Sequence, residues 1–221
     1  MAVKVLYEDN HLIAVFKPAG ILVQGDSSNE ECLMDQVKSY LKEKYHKPGN
    51  VFLGLIHRLD RPVSGIVLFA KTSKGASRLS EQFRNHTIKK IYQALIENRN
   101  SSPLPITGTL INYLKKDSQK NKVAVFDNPT PEALRAELSY KVLEQHADRM
   151  LVEIELKTGR PHQIRAQFAH AGHPLVGDAK YGALIPWTDG IALCAIKLEF
   201  NHPIKSTEKI VIIINSPFSP D

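Results

Sequence analysis

Between Met150 and Leu156 the chain alternates: Met150, Val152, Ile154 and Leu156 fall on one side of an extended backbone, and Leu151, Glu153 and Glu155 on the other. A period of two is the signature of a half-buried strand, because successive side chains point to opposite faces of a sheet. Leu151 is the one apolar residue on the polar side. Shorter alternating or continuous apolar runs at 3–7, 12–17, 51–56, 66–71, 89–97, 122–126, 136–143, 191–200 and 209–215 also read as strands. Residues 3–7 and 12–17 form a hairpin across Glu8-Asp9-Asn10. Helical spacing is rare by comparison. Leu33, Val37, Leu41 and Tyr45 make a stripe over 33–45. Ala76, Leu79 and Phe83 make another over 73–86, with Ser73 able to cap it. A third helix spans 161–171, entered at Pro161 and left at Gly172. Three helices cannot alternate with so many strands, so the expected class is α+β: a mixed or antiparallel sheet decorated with a few helices.

A chain of 221 residues can bury a substantial core, and 43% hydrophobic against 24% charged residues is a globular balance. One domain over residues 1–221 is the simplest division. No apolar run approaches the roughly 18 residues that span a bilayer, and Met1-Ala2-Val3-Lys4-Val5 lacks a signal-peptide pattern. Cys32 and Cys194 form no CxxC pair, so reduced thiols and a cytoplasmic setting are expected. Polar connections are expected at 98–105 and 115–121. Glycine-rich phosphate loops, HExxH and GxSxG are absent from the sequence. Of the nine histidines, His162, His170 and His173 cluster in sequence, but no acid or cysteine completes a ligand set, and no metal is expected.

The chemistry-bearing stretch is His57-Arg58-Leu59-Asp60-Arg61-Pro62-Val63-Ser64-Gly65, followed by the apolar run 66–70. Pro62 fixes its own φ and extends Arg61, and Gly65 permits a turn that a bulkier residue resists. Two flanking arginines favour the ionised form of Asp60. This is how a carboxylate nucleophile or base beside a polyanion would be built, and equally how a turn with a surface ion pair would be built. Residues 57–93 hold eight basic and two acidic side chains, a net +6 that equals the net charge of the whole chain. The block suits a polyanionic partner or a solvated basic face.

Three further blocks stand in order around this one: Lys17-Pro18-Ala19-Gly20-Ile21-Leu22-Val23; Lys89-Lys90-Ile91-Tyr92-Gln93-Ala94-Leu95-Ile96; and Thr158-Gly159-Arg160-Pro161-His162-Gln163-Ile164-Arg165, running on through His173-Pro174-Leu175-Val176-Gly177-Asp178 to Gly182. Together with the Asp60 loop they closely resemble the catalytic core of the RluA family of RNA pseudouridine synthases, from about residue 4 to about residue 200. Val63 departs from the threonine many members carry, which removes a hydroxyl but not the acid. The sequence starts directly with the core, so no small N-terminal RNA-binding domain is expected.

The resemblance implies the pseudouridine synthase fold, a monomer, no cofactor, and isomerisation of a specific uridine in an rRNA or tRNA stem-loop. A target base must be swung out of its stack into a pocket. By position in the motifs, Asp60 would attack the ribose C1′ or assist a glycal intermediate. Tyr92 would stack on the flipped base and offer its hydroxyl for proton transfer. Arg165 would pair with the aspartate and hold it ionised. Arg58 would contact RNA or fill the space the base vacates, and Arg61, Arg84, Lys89, Lys90, Arg160 and His162 are the other expected RNA contacts. An inactive RNA-binding protein of the same fold, or an RNA N-glycosidase in which water intercepts the ribose, are the competing readings.

Overall fold

The computed structural model describes residues 3–26, 30–99, 104–117, 119–205 and 207–218. The chain divides into two compact units, one formed by residues 1–88 and 195–214, the other by 89–194 and 215–221. The strands are β1 (Lys4–Glu8), β2 (Leu12–Lys17), β3 (Gly54–Leu55), β4 (Ser64–Ala70), β5 (Lys89–Glu97), β6 (Thr107–Asp117), β7 (Lys122–Phe126), β8 (Leu134–Gln145), β9 (Arg149–Leu156), β10 (Leu193–Asn201) and β11 (Lys209–Ile213). The helices are α1 (Leu33–Lys44), α2 (Ser73–Arg84) and α3 (Gln163–His170). The α+β class read from the sequence holds, and every strand pairing with a resolved register is antiparallel. No helix among the described residues is long and apolar enough to cross a membrane.

The first unit grows from the β1–β2 hairpin. Asp9 shapes its turn by accepting the amide hydrogens of His11 and Leu12 at 2.6 and 2.7 Å. β2 pairs with β4, and β11 pairs with β10. β2 and β4 are apolar on both faces because both are buried. One face joins Leu12, Ala14, Ile66, Leu68 and Ala70 to Leu79 of α2 and to Leu198, Phe200, Ile210 and Ile212. α2 is capped by Thr72, one residue earlier than the expected Ser73, whose hydroxyl accepts from Gly75 N at 3.2 Å. Glu8 ties α1 to the hairpin, receiving Lys44 and Lys71 at 2.7 Å each and the Tyr45 hydroxyl at 2.7 Å. Burial alone would raise the Glu8 carboxyl, but these donors outweigh it and hold it down at about 2.

The second unit orders its strands β5-β9-β8-β6-β7. Tyr92 lies opposite Ile154, and Ile154 opposite Tyr140, so the three share one sheet face. α3 packs on that face, with the fully buried Phe168 edge-on to Tyr140 at 5.6 Å between ring centres. Helix α3 is shorter than expected at its start, opening after His162 rather than at Pro161. β6 has no counterpart in the sequence reading. Leu110 and Ile111 are adjacent, the buried polar position is Asn112, and the strand ends in Lys115-Lys116-Asp117, so its alternation is blurred. Of the expected connections, residues 100–103 and 118 lie outside the described residues. Strand 51–56 shrinks to β3, a two-residue pairing with β4.

One close approach holds the first unit to its sequence. Gly65 of β4 has φ +125°, and a Cβ built there would stand 2.4 Å from Ala195 N and 2.5 Å from Ala195 O on β10. Both contacts are backbone, so neither strand can yield by a rotamer change. We expect Gly65→Ala to destabilise by more than about 3 kcal/mol, from overpacking and a strained φ together. Urea unfolding measures it, and a loss below about 1 kcal/mol would contradict the close approach.

Candidate active site

In the first unit the Asp60 loop is tied to the Lys17-Pro18-Ala19-Gly20 turn by a closed set of bonds. The Lys17 ammonium, fully buried, donates to Pro18 O at 3.0 Å, Ile21 O at 2.8 Å and Arg61 O at 3.0 Å. Gly20 N donates to Arg61 O at 2.8 Å, and Arg61 Nε returns a bond to Gly20 O at 2.8 Å. Val63 N closes the turn on Asp60 O at 3.0 Å. Leu59 and Val63 are buried on either side of the half-buried Asp60, so the loop is pinned apolar-polar-apolar. A valine fits position 63 because the site is apolar. His57 adds a further anchor, its Nε2 accepting Leu68 N at 3.0 Å while its ring stacks on Phe83 at 4.9 Å.

The two flanking arginines are both exposed. Arg61 sends its guanidinium to Glu30 at 2.7 Å in an exposed pair, and Arg58 is exposed. Within this unit the buried cation whose charge couples to Asp60 is Lys17. Burial pushes Lys17 down to about 8, against the opposing pull of Asp60.

In the second unit, Tyr92 is buried on the α3 face of β5. Arg165 leaves α3 to meet Asp178 in a forked pair, Nε to Oδ2 at 2.7 Å and Nη2 to Oδ1 at 2.9 Å. The side chains are 7% and 1% exposed, so the pair is held in a dry environment where a forked geometry matters. Tyr181 lies 5.1 Å from the Arg165 guanidinium carbon, ring-on. Its hydroxyl accepts Val123 N at 2.9 Å and bonds His162 Nδ1 at 2.9 Å. His162 itself adopts φ 50°, which turns the chain sharply into α3. Gln163 secures that turn: its Oε1 accepts from Arg160 N at 3.0 Å and from the Thr158 hydroxyl at 2.8 Å, and its Nε2 donates to Glu137 O at 3.1 Å.

The basic block is less uniform than its sequence. Lys71 pairs with Glu8, Arg78 donates to Pro203 O, and Lys89 pairs with Glu155 at 3.5 Å. Arg84 is exposed, but Lys90 is buried rather than solvent-facing. Arg160 is half-buried and donates to Arg135 O at 3.0 Å. His170 bonds Asp127 at 2.9 Å and His173 bonds Glu97 O at 2.9 Å. Three side chains that organise these regions went unassigned in the sequence: Lys17, Asp178 and Tyr181. Each lies in a quoted motif block, but the fold is what brings Lys17 to Arg61 O, Tyr181 to Val123 N and Asp178 to the Arg165 fork.

Residues 11–170 match the RNA pseudouridylate synthase family, and the chain belongs to that family. Among curated relatives, ribosomal large subunit pseudouridine synthase C of Vibrio parahaemolyticus is 31% identical over 206 residues, which cover 90% of this chain and 61% of that protein. The tRNA pseudouridine synthase C of Haemophilus ducreyi is 33% identical over 228 residues, covering 96% of this chain and 90% of its own. A solved structure, human RNA pseudouridylate synthase domain containing 4, superposes with a TM-score of 0.79 at 23% identity, over 97% of this chain and 89% of that one. That likeness establishes the fold. The chain spans about three fifths of the Vibrio relative.

Two outcomes follow from the geometry. Asp178→Ala leaves the Arg165 charge buried without its fork, and breaking such a pair costs about 3–5 kcal/mol. Denaturant unfolding should show that loss, and one under about 1 kcal/mol would mean the pair carries little. For Lys17 the folded value of about 8 lies below the ordinary 10.5, so the unfolded chain binds more protons between the two. Stability conferred through this group therefore rises with pH across that window. The stability difference between wild type and Lys17→Met should grow in favour of wild type from about pH 8 to about 10.5. A flat difference would contradict it.

Proposed function

We propose that this chain isomerises a uridine within RNA to pseudouridine, with Asp60, Tyr92 and Arg165 as its catalytic residues. The observation that carries the proposal is the family match over residues 11–170, which contains all three residues on the motifs that resemble the family's. In the reaction the C1′–N1 bond of the uridine breaks, the base turns, and a C1′–C5 bond forms. The proton leaves C5, and N1 is protonated in its place. The formula of the RNA is unchanged, so neither oxidant nor energy source is needed.

The local structure suits those roles. Asp60 presents its carboxylate from a turn whose backbone is fixed at Lys17, Gly20 and Val63, which limits the freedom a nucleophile loses on reaching C1′. Whether it attacks C1′ or assists a glycal, the carboxylate must stay ionised, and Arg165 is the guanidinium the motif assigns to it. Arg165 is itself oriented by Asp178 and Tyr181. Tyr92 supplies an aromatic face for a flipped base and a hydroxyl for proton transfer. The named relatives act on ribosomal and on transfer RNA respectively, and a structured RNA stem-loop is the substrate class proposed here. The proposal includes a cofactor-free cytoplasmic monomer formed by one catalytic domain, with Arg58, Arg61, Arg84, Lys89, Arg160 and His162 contributing RNA contacts.

The test uses unmodified ribosomal and transfer RNA, with pseudouridine counted after nuclease digestion and the RNA mass measured alongside. Wild type should form pseudouridine at constant mass. Asp60→Asn should lower the rate by more than about a thousandfold while RNA affinity persists, as expected when an essential covalent catalyst is removed. Loss of uracil mass would identify a glycosidase, and binding without product would identify a non-catalytic RNA-binding protein.

A further inference from the structure

Lys90 has no part in the chemistry assigned to Asp60, Tyr92 and Arg165. Its side chain is 7% exposed, and it has no hydrogen-bond or ion-pair partner among the described residues. Burial holds its ammonium below the ordinary lysine range. Lys17, buried still more completely, is met by three carbonyl oxygens, and Lys89 pairs with Glu155. A buried ammonium with no acceptor is costly until an anion reaches it.

The surroundings say where that anion would sit. A Cβ built on Gly159 would stand 3.7 Å from Lys90 Nζ, and beyond the chain neighbours no other heavy atom comes within 4 Å of it. Gly159 is itself exposed. The open side of Gly159 is thus bordered by the Lys90 ammonium. The same segment leads into α3, whose amino end carries a partial positive charge and unsatisfied amide hydrogens suited to anions. Lys90 and Tyr92 lie on one face of β5, two residues or about 6.6 Å apart along the strand.

We infer that Lys90, with the open position at Gly159, forms an anion subsite, which takes a phosphate oxygen of the nucleotide lying over Tyr92. This rests on the proposed function only in placing a nucleotide at Tyr92. It also assigns Gly159 a purpose. Gly159 has no left-handed φ, and a methyl group at 3.7 Å from Nζ makes an ordinary contact, so alanine fits the protein and places its methyl beside the ammonium instead.

The test measures binding of uridine 5′-monophosphate, uridine and inorganic phosphate to the full chain by NMR titration. Wild type, Lys90→Met and Gly159→Ala are compared, with thermal melting recorded for each. Wild type should bind the monophosphate about tenfold tighter than uridine, and both variants should lose about that factor while keeping uridine affinity, the scale of one charge-assisted hydrogen bond. Lys90→Met should melt at or above wild type, because an unpaired buried charge is gone. Monophosphate affinity unchanged in both variants would overturn the subsite. Melting several degrees lower with affinity intact would make Lys90 structural and overturn it too. Inorganic phosphate binding as tightly as the monophosphate, with no contribution from uridine, would overturn the nucleotide assignment. None of these readouts needs turnover. A wild type that shows the expected pattern but converts no RNA refutes the activity and leaves the subsite standing.

Discussion

The Lys17 ammonium is the interaction on which the Asp60 loop depends. Three carbonyl oxygens, from Pro18, Ile21 and Arg61, converge on one fully buried cation. A lysine there has to desolvate completely, and it does so because the surrounding turns supply oxygens at ordinary hydrogen-bond lengths. Two segments some 40 residues apart in sequence are thereby locked to a common charge. The same charge is coupled to that of Asp60, so the group that fixes the loop's backbone also interacts electrostatically with the loop's acid.

The second unit uses a different device. Arg165 emerges from a short helix and is fixed by a forked carboxylate on one side and an aromatic ring on another. Tyr181 extends that hold outwards, because its hydroxyl is bonded to His162 at the start of α3 and to the backbone of β7. Orientation is paid for by burial, and the guanidinium gains a defined direction in return. A solvated arginine on a helix surface would have neither.

The sequence was most legible where one physical signal acted alone. β2, β5 and β7 begin and end where their apolar patterns do, because burial dictates those residues with little competition. β6 was missed because its buried face includes Asn112 and its end is charged, so the period of two is diluted. The start of α3 moved because His162 adopts a left-handed conformation that proline chemistry gave no reason to expect. Motif order picks out Asp60 in the first unit and Tyr92 and Arg165 in the second, but does not single out Lys17, Asp178 or Tyr181. Lys17 and Tyr181 depend in part on Arg61 and Val123, which are far away in the chain, and Asp178 meets Arg165 across the end of α3, and local spacing encodes none of these contacts. Of the two arginines beside Asp60, Arg61 also reaches Glu30, a contact that adjacency in sequence does not announce.

The division of the chain also orders its synthesis. The second unit is complete, apart from residues 215–221, once residue 194 has been made. The first unit cannot close until β10 and β11 arrive, since Leu198, Phe200, Ile210 and Ile212 belong to its core with Leu12 and Ile66. For the time needed to translate the intervening hundred or so residues, the apolar strands β2 and β4 are held without that cover. Emergence from the ribosome therefore leaves the earlier-started of the two units as the later to finish folding, and that interval is when its chain is most open to chaperones and to aggregation.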